Sequence, residues 1–471
     1  MNIGYYDLLI IIGYFTILVV IGFFRSNLKK SVSQNEYILH GRKLSLPGFV
    51  ATLVSTWYGA ILGIGENTYL YGIQTWFIFA LPYYIFAAIY AKYLSEKIWK
   101  SNLMSIPDMF RKTYGSRTGM VSAFLIFILS SPAPYILSLG ILIKFIFNLD
   151  LIWGLIIATG FSIVYVWNGG LSAIVKTDYF QVLLMYVGFI VLVGYSWFES
   201  VSPAELYRSI SYTHMDPLGG NSLQYVLVWF FIAMWTIIDP SFFQRCSSVS
   251  NPDNAKKGLV ISIGFWFIFD ILTITAGLYS YIIIVPDNPL MAYPLLASKV
   301  LPHGLLGIFL VSLFAIIMST IDSMSFVNAI TFGRDIVWRN RPKEAKKNPV
   351  YLIRRGLIAV SILSILLSIT IPSVVKLFYT LGSIVIPGLI IPFINALTRK
   401  NHAINRNFSL LWLCIPVAVS LIWYILDRFS IELISNLEPF YPGILTSMIF
   451  YLALTLSSKD NRLIYDSISS E

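Results

Sequence analysis

The chain is 471 residues long, 57% hydrophobic and only 12% charged, with a mean hydropathy of +0.75. That balance excludes a soluble globular domain; repeated apolar runs of about 20 residues indicate an all-α, polytopic protein of the lipid bilayer. The net charge of +10 sits mostly in alternate loops, which is a positive-inside distribution and not a nucleic-acid footprint, so no nucleic-acid partner is expected.

In chain order, about 13 transmembrane helices are predicted, at 6–24, 46–71, 75–95, 118–147, 151–167, 174–199, 222–240, 258–285, 304–330, 353–371, 374–397, 408–426 and 440–458. They form a single transmembrane domain over 1–471, with no soluble domain expected at either end. The first run follows Met1 to Asp7, which offers neither a basic region nor a cleavage site, and reads as a retained span. Arg25, Lys29, Lys30, Arg42 and Lys43 follow that span, and Arg334, Arg339, Arg341, Lys343, Lys346 and Lys347 crowd a later loop. This bias predicts a multi-pass protein of the cell (inner) membrane, with its N-terminus outside and the tail from Ser457 to Glu471 inside. Cys246 and Cys414 lie on opposite predicted sides, so neither a disulfide nor a metal-ligand pair is expected.

The second span carries Gly59, Gly63 and Gly65 in its middle, just ahead of Glu66. Each glycine weakens a helix by about 1 kcal/mol, so a broken helix is predicted. Irregular backbone at membrane depth survives only against protein or a cavity, as in the central sites of secondary transporters. A Gly-rich packing face is the plainer alternative, although an acid gains nothing in such a seam. The seventh span ends at Asp239-Pro240, where proline disfavours helix at residue 239. The sixth span follows a Gly169-Gly170 turn and carries Asp178, which reads either as an ordinary helix-end acid or as a functional one. Asp270 lies in mid-membrane, either satisfied by a neighbouring hydroxyl or serving a substrate or proton.

The ninth span, 304–330, holds Ser319, Thr320, Asp322, Ser323 and Ser325. Ser319, Asp322 and Ser323 stand at i, i+3 and i+4 and share a helix face. A carboxylate at this depth costs about 3 kcal/mol on insertion scales, and hard oxygen ligands on one face suit a small hard cation. Hydroxyls that back-bond to their own helix or join helices are the plainer alternative. One acid with four hydroxyls exceeds what packing requires.

Several stretches, in a fixed order, resemble one family. They are Tyr37 to Leu44, Ser105 to Gly115, Gly169 to Asp178 with Gln181, Asp239-Pro240 followed by Gln244-Arg245, and Ser319-Thr320 followed by Arg334-Asp335-Ile336. Together they are similar to the sodium:solute symporters, the family of sodium-coupled proline, sialic acid, sugar, pantothenate and choline transporters. The resemblance implies a LeuT-type fold with inverted five-helix repeats, 46–199 and 222–397, and accessory spans 6–24, 408–426 and 440–458. It also implies alternating access driven by Na+, one or two ions per cycle. The main sodium site would take the backbone carbonyls of Ser55, Tyr58 and Ile316 with the hydroxyls of Ser319 and Thr320. Ile316 replaces the family's usual alanine, at little cost to a carbonyl ligand. A second site would use Asp178, Ser319, Asp322 and Ser323. Asp322 stands where two-sodium members carry a hydroxyl, which leaves a proton as the alternative.

By position in the family, Trp57, Ala60, Ile61, Leu62, Glu66, Ser131, Tyr135, Trp235 and Tyr379 would line the substrate cavity, with Asp270 a further candidate. Apolar Ile61 and Leu62 occupy the place where sugar carriers hold hydroxyls, which disfavours a hexose. A small carboxylate or zwitterion such as an amino acid is expected, its carboxylate facing the half-helix N-terminus near Gly63. An organic cation held by Glu66, Asp270 and aromatic faces is the alternative. The expected function is therefore a sodium-coupled symporter importing a small organic solute. A proton-coupled carrier or exchanger and a transporter-like sensor are the alternatives; sensors of this kind usually carry a kinase module after the last span, and the stop at Glu471 counts against that expectation. No nucleophile–histidine pair is visible, and His40, His214, His303 and His402 lie outside the candidate pocket, so no enzyme is expected.

Overall fold

Apolar runs that cannot leave backbone groups bare in lipid must fold as helices, and the computed structural model is helical almost throughout. It describes residues 3–24, 33–342, 348–398, 406–427 and 437–468. Arg25, Lys29, Lys30, Lys343, Lys346, Lys347 and His402 lie outside the described residues.

The first span is α1 (Tyr5–Phe24). The second is split into α2 (Leu46–Ser55) and α3 (Ile61–Tyr71). Then come α4 (Gln74–Ser101), α5 (Ser116–Leu129), α6 (Ala133–Phe147), α7 (Leu151–Gly169) and α8 (Leu171–Tyr195). The later half holds α9 (Leu223–Ile232), α10 (Pro240–Ser248), α11 (Pro252–Ile283) and α12 (Leu305–Ile330). It closes with α13 (Val350–Thr370), α14 (Val374–Thr398), α15 (Arg406–Asp427) and α16 (Phe440–Ile468). Among the described residues nine helical stretches are long and apolar enough to cross a membrane, and four shorter apolar helices accompany them.

Two expected spans differ from the pattern read off the sequence. The stretch 118–147 is not continuous: it breaks at Ser130-Ser131-Pro132 between α5 and α6. Pro132 brings no N–H to the helical ladder, and the Ser131 hydroxyl lies 3.1 Å from that of Ser364 on α13. The seventh span does not stop at residue 240. Asp239 leaves the helix (φ −72°, ψ 119°), and its carboxylate then accepts from the Ser241 and Phe242 N–H groups at the start of α10. Pro240 fits the first turn, where its missing N–H costs nothing. A residue pair read as a stop is therefore a restart.

α12 forms the centre. Every residue from Phe309 to Ile330 is buried, and the helix packs on α8, α1, α13 and α6. The two broken spans are tied together near their ends: the Leu44 N–H donates to the Ser248 carbonyl at 3.0 Å, and the Gln244 amide to the Ile38 carbonyl at 2.8 Å.

Beyond α12, Asp108 on the short helix Ile106–Tyr114 accepts from Arg334 and Arg339, each at 2.7 Å, and Arg334 also pairs with Asp335. Burial pushes the Asp108 carboxyl up, but the two guanidiniums prevail and hold it below its ordinary value. A depressed acid contributes stability that is present above its unfolded pKa and is lost as pH falls through the folded one. Asp108→Asn is expected to cost about 1–3 kcal/mol, because Arg339 loses its carboxylate and Arg334 keeps only Asp335. In thermal unfolding against pH, the wild-type midpoint should fall on acidification below the ordinary aspartate range, and the variant should lack that component.

Candidate functional site

The break in the second span begins where the Thr56 hydroxyl turns back to the Thr52 carbonyl, at 2.5 Å. Residues 56–60 leave the helix before α3 starts. Gly59 is needed there because of proximity: a Cβ would lie 2.5 Å from Thr320 Cβ and from Tyr135 Cδ1. The Thr320 hydroxyl donates to the Thr56 carbonyl at 2.9 Å, and also to the Ile316 carbonyl at 3.2 Å. The Tyr58 carbonyl accepts from the Ile61 N–H at 2.9 Å, which leaves it a second lone pair. The Tyr58 ring is turned away, its hydroxyl donating to the Trp266 carbonyl at 2.9 Å. The expected main-site residues Ser55, Tyr58, Ile316, Ser319 and Thr320 thus flank one junction between the end of α2 and the middle of α12. Neutral carbonyl and hydroxyl oxygens of this kind fit a sodium ion. Ser319 donates to Asp178 at 2.7 Å, so a carboxylate stands one hydrogen bond behind the junction.

The four residues expected at a second site have different partners. Asp178, on α8, accepts from Ser319 and from the Thr52 hydroxyl. Asp322 accepts from Ser162 on α7 at 2.6 Å. Ser323 faces Arg245, whose Nη2 donates to Ser323 Oγ at 2.8 Å, and to Thr52 Oγ1 and Thr56 Oγ1 at 2.9 Å each. Arg245 and Asp178 are both fully buried, at 0% exposure.

Beside the junction lies a cavity walled by Trp57, Tyr83, Tyr135, Trp229, Trp235 and Phe378, with Ala60, Gly63 and Ile64 contributed by the start of α3. Of the expected substrate residues, Trp57, Ala60, Tyr135 and Trp235 line it. Ile61, Leu62, Glu66, Ser131, Asp270 and Tyr379 stand outside this lining. The lining face runs through Ala60, just before α3, and residues 63 and 64 of the helix, a spacing that turns Ile61 and Leu62 into the core, fully buried. Ser131 is bound to Ser364. Asp270 accepts from the Tyr84 hydroxyl, so its plainer alternative, satisfaction by a hydroxyl, is what the structure records. Tyr379 packs on Trp229, ring centroids 5.9 Å apart.

Asp239, Tyr83 and Trp229 were not selected from the sequence as site residues. Asp239 lines the cavity, and among the described residues all of its hydrogen bonds fall on Oδ1. Its signal in the sequence is an acid before proline inside an apolar span, a pattern that marks a helix break without indicating a cavity wall. Trp229, Trp235 and Thr236 line the cavity; the Trp235 indole nitrogen and the Thr236 hydroxyl are buried and have no hydrogen-bond partner among the described residues.

The chain is similar to a solved Na+-coupled sialic acid symporter in a substrate-bound outward-open state, with a TM-score of 0.80 at 17% identity, covering 97% of this chain and 98% of that one. MHP1, a nucleobase-cation-symport-1 family transporter, gives a TM-score of 0.58 at 12% identity over 90% of this chain and 95% of its own. The fold is therefore of the LeuT type, with inverted five-helix repeats, and the protein is a multi-pass membrane protein. The profile of the sodium:solute symporter family matches residues 37–398, and the chain belongs to that family. Among curated relatives, sodium/glucose cotransporter 1 of Ovis aries is 23% identical over 53% of this chain and 45% of its own. The high-affinity proline transporter PutP of Bacillus subtilis is 23% identical over 72% and 76%, and the high-affinity choline transporter 1 of Drosophila melanogaster 23% over 83% and 66%. The chain spans about half the length of the sodium/glucose cotransporters it matches.

Gly59→Ala is expected to force the break away from Thr320 and Tyr135, at about 1–3 kcal/mol for an overpacked site. The midpoint of thermal unfolding should drop in both sodium and choline chloride, and the gap between the two salts should narrow.

Proposed function

We propose that the protein is a sodium-coupled symporter, a carrier and not an enzyme, that imports a small organic solute by alternating access. It would work in the cell (inner) membrane with its N-terminus outside and its C-terminal tail inside, moving repeat 46–199 against repeat 222–397. The observation that carries this reading is the break at residues 56–60 closing on the hydroxyl of Thr320, beside Ser319. In the proposed main site, the carbonyls of Ser55, Tyr58 and Ile316 and the hydroxyls of Ser319 and Thr320 ligate one sodium ion. Because the ligands come from two separate helices, ion binding favours the arrangement that holds them together and so couples to the solute cavity next to it. Membership of the sodium:solute symporter family supports this assignment.

For the solute, a zwitterion such as an amino acid fits best. The cavity offers one carboxylate, Asp239, with aromatic rings around it, which suits an ammonium group. Trp235 and Thr236 also line it, with donor groups that have no partner among the described residues and that would turn to a carboxylate at the other end. A hexose would need many paired donors and acceptors that these apolar walls lack.

A sodium ion at about 100 times its Kd adds about 2.7 kcal/mol. Purified protein should therefore unfold at a higher temperature in sodium than in potassium or choline chloride at equal ionic strength. Ser319→Ala and Thr320→Ala should each lose most of that gap; a normal gap in either variant removes its hydroxyl from the site. With sodium present, zwitterionic amino acids should raise the midpoint further and hexoses should not. Asp239→Asn should weaken amino-acid binding by roughly tenfold or more, the scale of a lost charged hydrogen bond, while keeping the sodium response. Stabilisation by hexose alone would refute the zwitterion assignment.

A further inference from the structure

α13 starts at Val350, directly after a strongly basic stretch. From Arg339 to Arg355 the chain carries seven lysines and arginines against one acid, Glu344, and the next acid is Asp427. Two of these arginines serve the protein interior: Arg339 pairs with Asp108, and Arg354 Nε donates to the Trp167 carbonyl at 2.8 Å. Arg341 and Arg355 turn instead to Tyr351. Each guanidinium stands 5.7 Å from the centre of its ring, and Arg341 also donates to its hydroxyl. Neither has a carboxylate partner among the described residues. Two like charges about one ring repel each other, and the ring offsets only part of that repulsion. Beyond Arg355, at steps of three and four residues, follow Ile358, Ile362, Leu366 and Ile369, each about half exposed. One face of α13 thus runs from a pair of guanidiniums, past an aromatic ring, onto bare hydrocarbon.

We propose that this face binds one anionic phospholipid, its phosphate held between Arg341 and Arg355 and an acyl chain laid along Ile358, Ile362, Leu366 and Ile369. The order of groups on the helix is the order of groups in such a lipid. A guanidinium presents a fixed fork of N–H donors that matches phosphate oxygens. A zwitterionic headgroup would bring its own ammonium to a surface rich in positive charge, so an anionic one is preferred. A soluble phosphate would gain nothing from the apolar stripe. Because Arg341 follows α12 and Arg355 lies on α13, the bound lipid also fastens these two helices together. The proposal needs only the bilayer and is independent of the sodium-coupled reading.

Native mass spectrometry of the full chain in detergent tests this, with phosphatidylglycerol and phosphatidylcholine of identical acyl chains as probes. The wild type should retain one phosphatidylglycerol under conditions that strip phosphatidylcholine, and phosphatidylglycerol should raise the midpoint of thermal unfolding more. Arg341→Gln with Arg355→Gln should weaken phosphatidylglycerol binding by roughly tenfold or more. Lys112→Gln with Arg117→Gln, an equal loss of charge on the same predicted side, should bind as the wild type does. Equal retention of the two lipids, or equal weakening in the two double variants, would overturn the proposal, since net charge alone would then account for binding. Displacement of the lipid by glycerol phosphate at equal concentration would assign the site to a soluble phosphate and overturn it too. Should the arginine double variant fail to fold, Arg355→Gln alone decides: weaker binding supports the site, and wild-type binding removes it.

Discussion

Backbone polar groups have no water to turn to inside a bilayer, and the interruption of the second span at residues 56–60 is where this constraint bears hardest. The freed groups are answered by protein: Thr320 on α12 reaches the Thr56 carbonyl, and Gly59 lets the two chains meet without a Cβ between them. This explains why α12 is buried along its whole inner length and why it carries hydroxyls where a lipid-facing helix would carry leucines. The break and α12 need each other; neither is a stable element alone at that depth.

Charge in the interior follows the same logic. Asp178 and Arg245 are each fully buried, and each would be prohibitive without the other. The Thr52 hydroxyl joins them, so the second broken span is linked by charge to α8, and it is held against the first by the hydrogen bonds from Arg245 to Thr52 and Thr56 and by the backbone contact of Leu44 with Ser248. Asp239 solves a different problem. Its carboxylate caps α10 through Oδ1 and also lines the cavity. One residue both restarts a helix and brings a carboxyl group to the cavity wall.

The cavity itself is mostly aromatic, and its few polar atoms are informative because they are unsatisfied. Buried indole nitrogens normally find partners; that of Trp235 has none within the described protein. An interrupted helix and a carboxylate cap converge on the same cavity, which shares the 56–60 break with the junction on α12.

By itself the sequence determined the membrane class, the approximate spans and the break in the second helix, and it marked the cluster of hydroxyls and acid on the ninth span. These depend on local quantities: apolar run length, glycine content, and the cost of an acid among leucines, all expressed within one segment. The split of α5 from α6 and the restart at Pro240 were also written locally, in Pro132 and in Asp239-Pro240, but a proline marks a discontinuity without saying whether the chain ends its helix or resumes it. Only the tertiary structure decided that, through capping and through the neighbour that receives the freed groups. It alone decided which face of α3 opens on the cavity, so that Ala60, Gly63 and Ile64 line it while Ile61 and Leu62 are core. It alone brought Arg245 to Asp178, 67 positions away in the chain. Helix rotation and long-range pairing are set by packing between segments, and no window of sequence contains them.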